Sequence, residues 1–162
     1  MRLELIPADR TLLRSLLAEP AATLAGICAN ADEIGGTIVG AAEMTLAFYE
    51  RTNPEVPWIS YFAKDGGNIV GLCSFVGAPK DEAVEIAYFT FPLYEGRGIA
   101  TQMTEGLIVI AGREPAVRAL IAHTLQEENA STRVLRKHGF ERDGTATDPD
   151  AGEVWRWKLV LK

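Results

Sequence analysis

The sequence predicts one α/β domain built on a mixed, mostly antiparallel central sheet with helices on both faces. Apolar and β-branched runs joined by short glycine-containing turns in the middle of the chain predict antiparallel strands. A strand, a helix and a second strand then follow in order, which is typical of two parallel strands joined by a crossover helix. The 162 residues are enough for a single domain, 1–162, with a full core.

The first third of the chain predicts one strand and two helices. Residues 3–6 form a short strand stopped by Pro7, and the leucines that follow Asp9 have helical spacing. The pair Gly35-Gly36 predicts a break before a separate helix over residues 41–51. Because residues 19–57 are the least regular segment, we expect them to shape part of a ligand site.

The rest of the chain alternates strands and helices. Strands are predicted at residues 58–64, 69–76, 84–91, 119–124 and 154–161, and helices at 99–112 and from Asn129 or Ser131 to Gly139. Alternation places Trp155 and Trp157 on one face of the last strand. We expect that strand to be exposed, where it would support a homodimer.

Composition restricts the class of partner. The formal net charge of −6 argues against a nucleic-acid partner, because phosphate binding needs a basic face, and it favours a neutral or cationic one. Cys28 and Cys73 lack metal-ligand spacing, so we expect two buried thiols and no metal. No apolar run approaches the roughly 20 residues of a membrane helix, and Glu4 and Pro7 interrupt any signal sequence. We therefore expect a cytoplasmic protein that does not bind membranes.

The turn Glu95-Gly96-Arg97-Gly98-Ile99-Ala100 joins a strand to a helix. Its backbone N–H groups and the positive end of the helix dipole would converge on one spot, which favours an anion such as a phosphate. An ordinary connection with glycines chosen for positive φ explains the same residues equally well. The turn is neither a Gly-x-Gly-x-x-Gly fingerprint nor a P-loop.

Two segments together resemble the GNAT superfamily of N-acetyltransferases, and within it the ribosomal-protein alanine acetyltransferases. Residues 91–101, Phe-Pro-Leu-Tyr-Glu-Gly-Arg-Gly-Ile-Ala-Thr, are similar to the acetyl-CoA loop of that family, with Glu95 in a position usually held by Gln or Arg. Residues 129–140 resemble its Asn-containing helix that ends in Gly-Phe. The pair occurs in the order and at about the separation found in the family.

The resemblance implies a GNAT-like fold and direct transfer of acetyl from acetyl-CoA to a primary amine, either a protein N-terminus or a small molecule. It also implies that the pantetheine arm of the cofactor lies along the strand that ends near Pro92. The residues implied to bind the cofactor are Phe89, Thr90, Phe91, Glu95, Gly96, Arg97, Gly98, Ile99, Ala100, Thr101, Asn129 and Ser131. A helix cap is an equally good role for Asn129.

Three residues are candidates for the chemistry. Glu85, an acid within an apolar strand, is the first candidate for the base that removes the proton of the amine, and a solvent-facing carboxylate is its alternative. His123 is the second, although a structural histidine explains it better. The resemblance implies a hydroxyl on the last helix as proton donor to the leaving thiolate, and Ser131 is the only nearby one apart from Thr132; a helix cap is its alternative. Tyr88 and Tyr94 are expected to be packing or loop residues.

Two other functions remain open at this point. The chain would serve as a binding module that holds acyl-CoA without turnover, or the glycine turn would be purely architectural and bind no cofactor.

Overall fold

The computed structural model describes residues 3–161, which form seven strands, five α-helices and a short 3-10 helix at Pro92–Tyr94. The strands are β1 (Glu4–Pro7), β2 (Ser60–Asp65), β3 (Asn68–Phe75), β4 (Ala83–Thr90), β5 (Ala119–Thr124), β6 (Glu141–Asp148) and β7 (Gly152–Val160). The helices are α1 (Arg10–Ala18), α2 (Pro20–Ile27), α3 (Ala31–Thr52), α4 (Ile99–Gly112) and α5 (Ala130–Lys137). None of these helices combines the length and apolarity needed to cross a membrane.

The strands form one sheet in the order β1-β2-β3-β4-β5-β7-β6, and only β4 and β5 are parallel. Helices cover both faces of its first half. On one face of the sheet, a Cβ added to Gly71 of β3 would meet Met103 of α4. On the other face, the side chain of Phe62 of β2 is fully buried. The prediction of a mixed, mostly antiparallel sheet is confirmed.

Helix α3 runs through the predicted break at Gly35-Gly36, so that prediction was wrong. Its buried residues recur at helical spacing from Ile34 through Ile38 and Ala42 to Tyr49. Each glycine costs about 1 kcal/mol relative to alanine in a helix interior. Burial of this apolar stripe outweighs that cost, because a fully buried isoleucine alone contributes roughly 1.5–3 kcal/mol.

The final strand is not an exposed edge, which corrects the basis for the predicted dimer. β7 lies between β5 and β6, and Trp157 is only 1% exposed. The edge strand at this end of the sheet is β6, which has no apolar pattern to predict it because most of its residues are polar and exposed. A polar edge strand discourages pairing with a second sheet. The two tryptophans instead pack edge-to-face against each other within the protein.

The two cysteines differ in exposure, which predicts different reactivity. Cys73 of β3 is fully buried, and burial raises its pKa to about 12. Cys28 is half-buried, and burial raises its pKa as well.

Since the thiolate is the nucleophile, we expect Cys73 not to react with a disulfide-exchange reagent at pH 8 in the native protein. Cys28 should react slowly, and a Cys28→Ser variant should show no native reactivity. Equal native rates for both thiols would contradict this.

Candidate active site

The candidate site is an opening between β4 and β5. These two strands pair with each other only over Ala83–Glu85 and Ala119–Ile121, and beyond that point each continues paired only to its other neighbour, β4 to β3 and β5 to β7. A cavity of about 570 Å³ occupies the region beside the unpaired end of β4. It is lined by Tyr88, Phe89, Thr90, Glu95, Gly96, Gly98, Ile99, Ala100, Thr101, Ala130, Ser131, Arg133, Val134 and Lys137.

The unpaired edge of β4 presents free backbone groups to this opening. At the ends of the β3–β4 ladder, the carbonyl of Glu85 accepts from the amide of Val76 at 2.8 Å, and the amide of Phe91 donates to the carbonyl of Val70 at 2.9 Å. Bonding direction alternates along a strand, so the amides of Tyr88 and Thr90 point away from β3. The amide of Phe91 is already used, and its ring is buried.

The glycine turn closes one end of the cavity. Gly96 and Gly98 have φ of 78° and 77°, and Gly98 is the N-cap of α4 without any side-chain cap. The first amides of α4 therefore lack a partner from a capping side chain. A Cβ built on Gly98 would meet nothing within 4 Å, so the backbone there is open to a ligand. The geometry suits an anion.

A buried polar network anchors this turn before any ligand binds. The Tyr94 hydroxyl donates to Glu33 Oε1 at 2.8 Å and accepts from Asn30 Nδ2 at 2.8 Å. Asn30 also bonds both backbone groups of Ile69. Arg97 lies over the Tyr94 ring, with its guanidinium 5.0 Å from the ring centre. Arg97 thus packs on the turn and does not line the cavity.

Helix α5 forms the other wall. Asn129 caps it, because its Oδ1 accepts from the amide of Thr132 at 3.0 Å and the hydroxyl of Thr132 accepts from the amide of Asn129 at 2.9 Å. Asn129 lies outside the lining, whereas Ser131 lies within it. Arg133 and Lys137, one turn apart, also line the cavity and were missed from sequence. Their i, i+4 spacing on an amphipathic helix was the available signal.

Glu85 and His123, weighed as alternatives from sequence, form one pair. Nδ1 of His123 lies 3.0 Å from Oε2 of Glu85. The His123 side chain is 25% exposed and the Glu85 side chain 35%, so solvent reaches both. The pair sits where β4 and β5 stop pairing, about 10 Å along the strand from Tyr88 at roughly 3.3 Å per residue. It shares a strand face with the exposed residues Ala87 and Phe89.

Two tyrosines expected to be packing residues make polar contacts at the site. Besides Tyr94 in the turn, Tyr88 reaches from β4 across the opening to α5. Its hydroxyl lies 2.9 Å from Ser131 Oγ and 3.3 Å from the carbonyl oxygen of Ser131. Across residues 3–161, no group of three or more metal-ligating side chains comes together.

The sequence matches a family model described as an acetyltransferase (GNAT) domain over residues 3–141. That match spans most of the chain. The protein belongs to the GNAT acetyltransferase family. It is therefore an N-acetyltransferase, and the resemblance read from the glycine turn and the α5 segment is confirmed. No curated protein sequence matches this GNAT chain well enough to count as a relative.

Solved structures share the fold of this GNAT protein at low identity. RimL, a ribosomal L7/L12 α-N-protein acetyltransferase in complex with coenzyme A, is 18% identical with a TM-score of 0.67 over 99% of this chain and 95% of its own. MccE, a microcin C7 self-immunity acetyltransferase in complex with acetyl-CoA and AMP, is 14% identical with a TM-score of 0.67, covering 99% and 93%. A chimera of spermidine N-acetyltransferase SpeG from Vibrio cholerae and hSSAT is 13% identical with a TM-score of 0.67, covering 97% and 95%.

Proposed function

We propose that this protein binds acetyl-CoA in the cavity between β4 and α5 and transfers the acetyl group directly to a primary amine. One observation carries the proposal: β4 and β5 stop pairing at Glu85 and Ile121. That feature leaves a free strand edge and the N-terminus of α4 at the cavity. The Glu85–His123 pair lies outside the cavity lining, where the β4–β5 pairing ends.

The lining fits the chemistry of this co-substrate. The open backbone of Gly96 and Gly98 and the first amides of α4 would hold the pyrophosphate, and Arg133 and Lys137 add two cations on the facing helix. The amides of Tyr88 and Thr90 point into the opening, where they would bond the pantetheine arm and the thioester oxygen. Acetyl-CoA itself supplies an activated acetyl thioester.

The protein's own groups then divide the remaining work. An amine attacks only without its extra proton, and the Glu85–His123 pair is the base that takes that proton. Ser131 is a hydroxyl in the cavity wall that donates a hydrogen bond toward the departing sulfur. The backbone N–H of Tyr88 or Thr90 stabilises the negative charge that develops on the carbonyl oxygen.

The acceptor would approach from the strand face that bears Glu85, Ala87 and Phe89, because these side chains are accessible to solvent. RimL is named for acetylating the α-amino group of ribosomal L7/L12, and SpeG for acetylating spermidine. A protein N-terminus and a small-molecule amine are accordingly the two acceptor classes we propose.

Calorimetry and a turnover assay test the proposal together. We expect acetyl-CoA to bind with micromolar affinity and an acetyl-CoA-dependent release of thiol with at least one member of a panel of N-terminal peptides and polyamines. Binding without release on any acceptor would favour a binding module. An absence of binding at millimolar acetyl-CoA would contradict the proposal that the cavity binds this co-substrate.

Removing the two positive charges of α5 should weaken cofactor binding and show whether they contact the pyrophosphate or the 3′-phosphate of acetyl-CoA. We expect Arg133→Gln with Lys137→Gln to raise the Kd of acetyl-CoA roughly 10–100-fold, since hydrogen bonds to charged groups contribute about 1.5–3 kcal/mol each before solvent screening. Dephospho-acetyl-CoA, which lacks the 3′-phosphate, identifies the lost contact. If the contact is with the 3′-phosphate, the variant should bind acetyl-CoA and dephospho-acetyl-CoA with equal affinity, whereas the wild-type protein should prefer acetyl-CoA. Arg113→Gln is the control, because Arg113 is the C-cap residue of α4 and lies outside the cavity lining.

A further inference from the structure

The hydroxyl of Tyr88 is the one polar group of β4's side chains that crosses the opening to α5. It lies 2.9 Å from Ser131 Oγ and 3.3 Å from the Ser131 carbonyl oxygen, and both residues line the cavity. The N-terminus of α5 is already capped by Asn129 and Thr132, so neither Tyr88 nor Ser131 serves as its cap. The contact therefore calls for a role other than helix capping.

The geometry permits either hydroxyl of the Tyr88–Ser131 pair to donate across the 2.9 Å contact. Burial raises the pKa of Tyr88, although its hydrogen bond with Ser131 opposes that effect, so the phenol is protonated and able to donate at neutral pH. A serine hydroxyl has one hydrogen and two acceptor sites. When the phenol donates to Ser131 Oγ, the serine hydrogen is left free to point into the cavity.

We propose that the side chain of Tyr88 has a positioning role: its hydroxyl holds the Ser131 hydroxyl so that the serine hydrogen points at the departing sulfur, while only the backbone amide of Tyr88 faces the co-substrate. This rests on the proposed function, since it assigns a task within the same site. No covalent bond forms or breaks within the pair. Ser131 donates a hydrogen bond to the sulfur as the carbon–sulfur bond breaks, and Tyr88 supplies the second hydrogen bond that fixes the serine rotamer.

The arrangement explains why the contact spans two elements. β4 supplies the backbone that faces the thioester, and α5 supplies the hydroxyl, so a bond between the two sets their separation at the reacting centre. A serine alone on the first turn of a helix has three staggered rotamers, and only one is selected by a fixed donor. Fixing that rotamer in advance lowers the entropic cost of reaching the transition state.

A double-variant cycle tests this. We expect Tyr88→Phe to lower kcat roughly tenfold, with the Kd of acetyl-CoA and the KM of the acceptor within twofold of wild type, since one hydrogen bond is lost. Ser131→Ala should lower kcat at least as much. If Tyr88 acts through Ser131, adding Tyr88→Phe to Ser131→Ala should cause no further loss.

Tyr61→Phe is the matched control, because it deletes a phenol hydroxyl that bonds the Pro57 carbonyl and lies outside the cavity lining. Its kcat should equal that of wild type. The inference would be overturned if the kcat losses of the two single variants multiplied in the double variant, or if the lower activity of Tyr88→Phe came from a higher Kd for acetyl-CoA. Either result would leave the proposed function intact as long as the wild-type protein turns over. Absence of wild-type turnover on every acceptor would overturn both.

Discussion

Replacing Gly98 with valine is expected to raise the Kd of acetyl-CoA by at least 100-fold. Gly98 has φ of 77° at the N-cap of α4, a conformation that a β-branched residue strongly disfavours. A side chain at this position would project into open space at the cavity wall, where we place the pyrophosphate. The substitution therefore blocks the approach of phosphate oxygens to the backbone and strains the turn by about 1–3 kcal/mol. Calorimetry with acetyl-CoA measures the loss.

Gly152→Val separates the two causes. Gly152 has φ of 78° in the β6–β7 hairpin, and a Cβ there also meets nothing within 4 Å, but it lies outside the cavity lining. The two variants should lose similar thermal stability, while only Gly98→Val loses cofactor binding. An equal loss of binding in both would mean that the effect arises from destabilisation.

Glu95→Gln complements this pair. Glu95 lies in the lining, where its carboxylate opposes a pyrophosphate, so the amide should leave acetyl-CoA affinity unchanged or improve it. A weaker affinity in Glu95→Gln would show that the pyrophosphate lies elsewhere.

The parts of the fold that sequence predicted are those with strong apolar patterns. The sequence of β2 is largely apolar and aromatic because the strand is buried on both faces. The buried residues of α4 recur at helical spacing on the side that faces the sheet. β6 carries no such pattern, because it is an edge strand of polar, mostly exposed residues with a bulge between Arg142 and Thr145. Helix α3 continues past two glycines because tertiary packing overrides local propensity.

The candidate site was predicted residue by residue but not as pairs. Glu85 and His123 stand 38 positions apart, and only the parallel register of β4 and β5 brings them within 3.0 Å. Tyr88 and Ser131 are 43 positions apart and meet because α5, the helix after β5, lies across the opening from β4. β4 and β5 are joined by the long crossover through α4, so no tight turn in the sequence shows which of their residues pair.

Glu85→Gln is expected to lower kcat by about 10²–10⁴-fold with little change in acetyl-CoA affinity, because general-base catalysis contributes on that order. The amide oxygen of glutamine still accepts a hydrogen bond from His123, so the geometry is kept while the charge is lost. Steady-state thiol release at saturating acceptor measures the change. Glu82→Gln, an exposed carboxylate paired with Arg118 at the start of β4, is the control and should retain full activity.

The contact between Nδ1 of His123 and Oε2 of Glu85 also decides which group receives the proton. A carboxylate only accepts, so Nδ1 carries the hydrogen, and Nε2 is left with the free lone pair. His123 would then take the proton of the amine while Glu85 orients the ring and stabilises its cationic form. In that case His123→Ala lowers kcat as much as Glu85→Gln, and the double variant loses no more than either. A His123→Ala variant that keeps most of its activity would instead make Glu85 the direct base, acting on the amine through water.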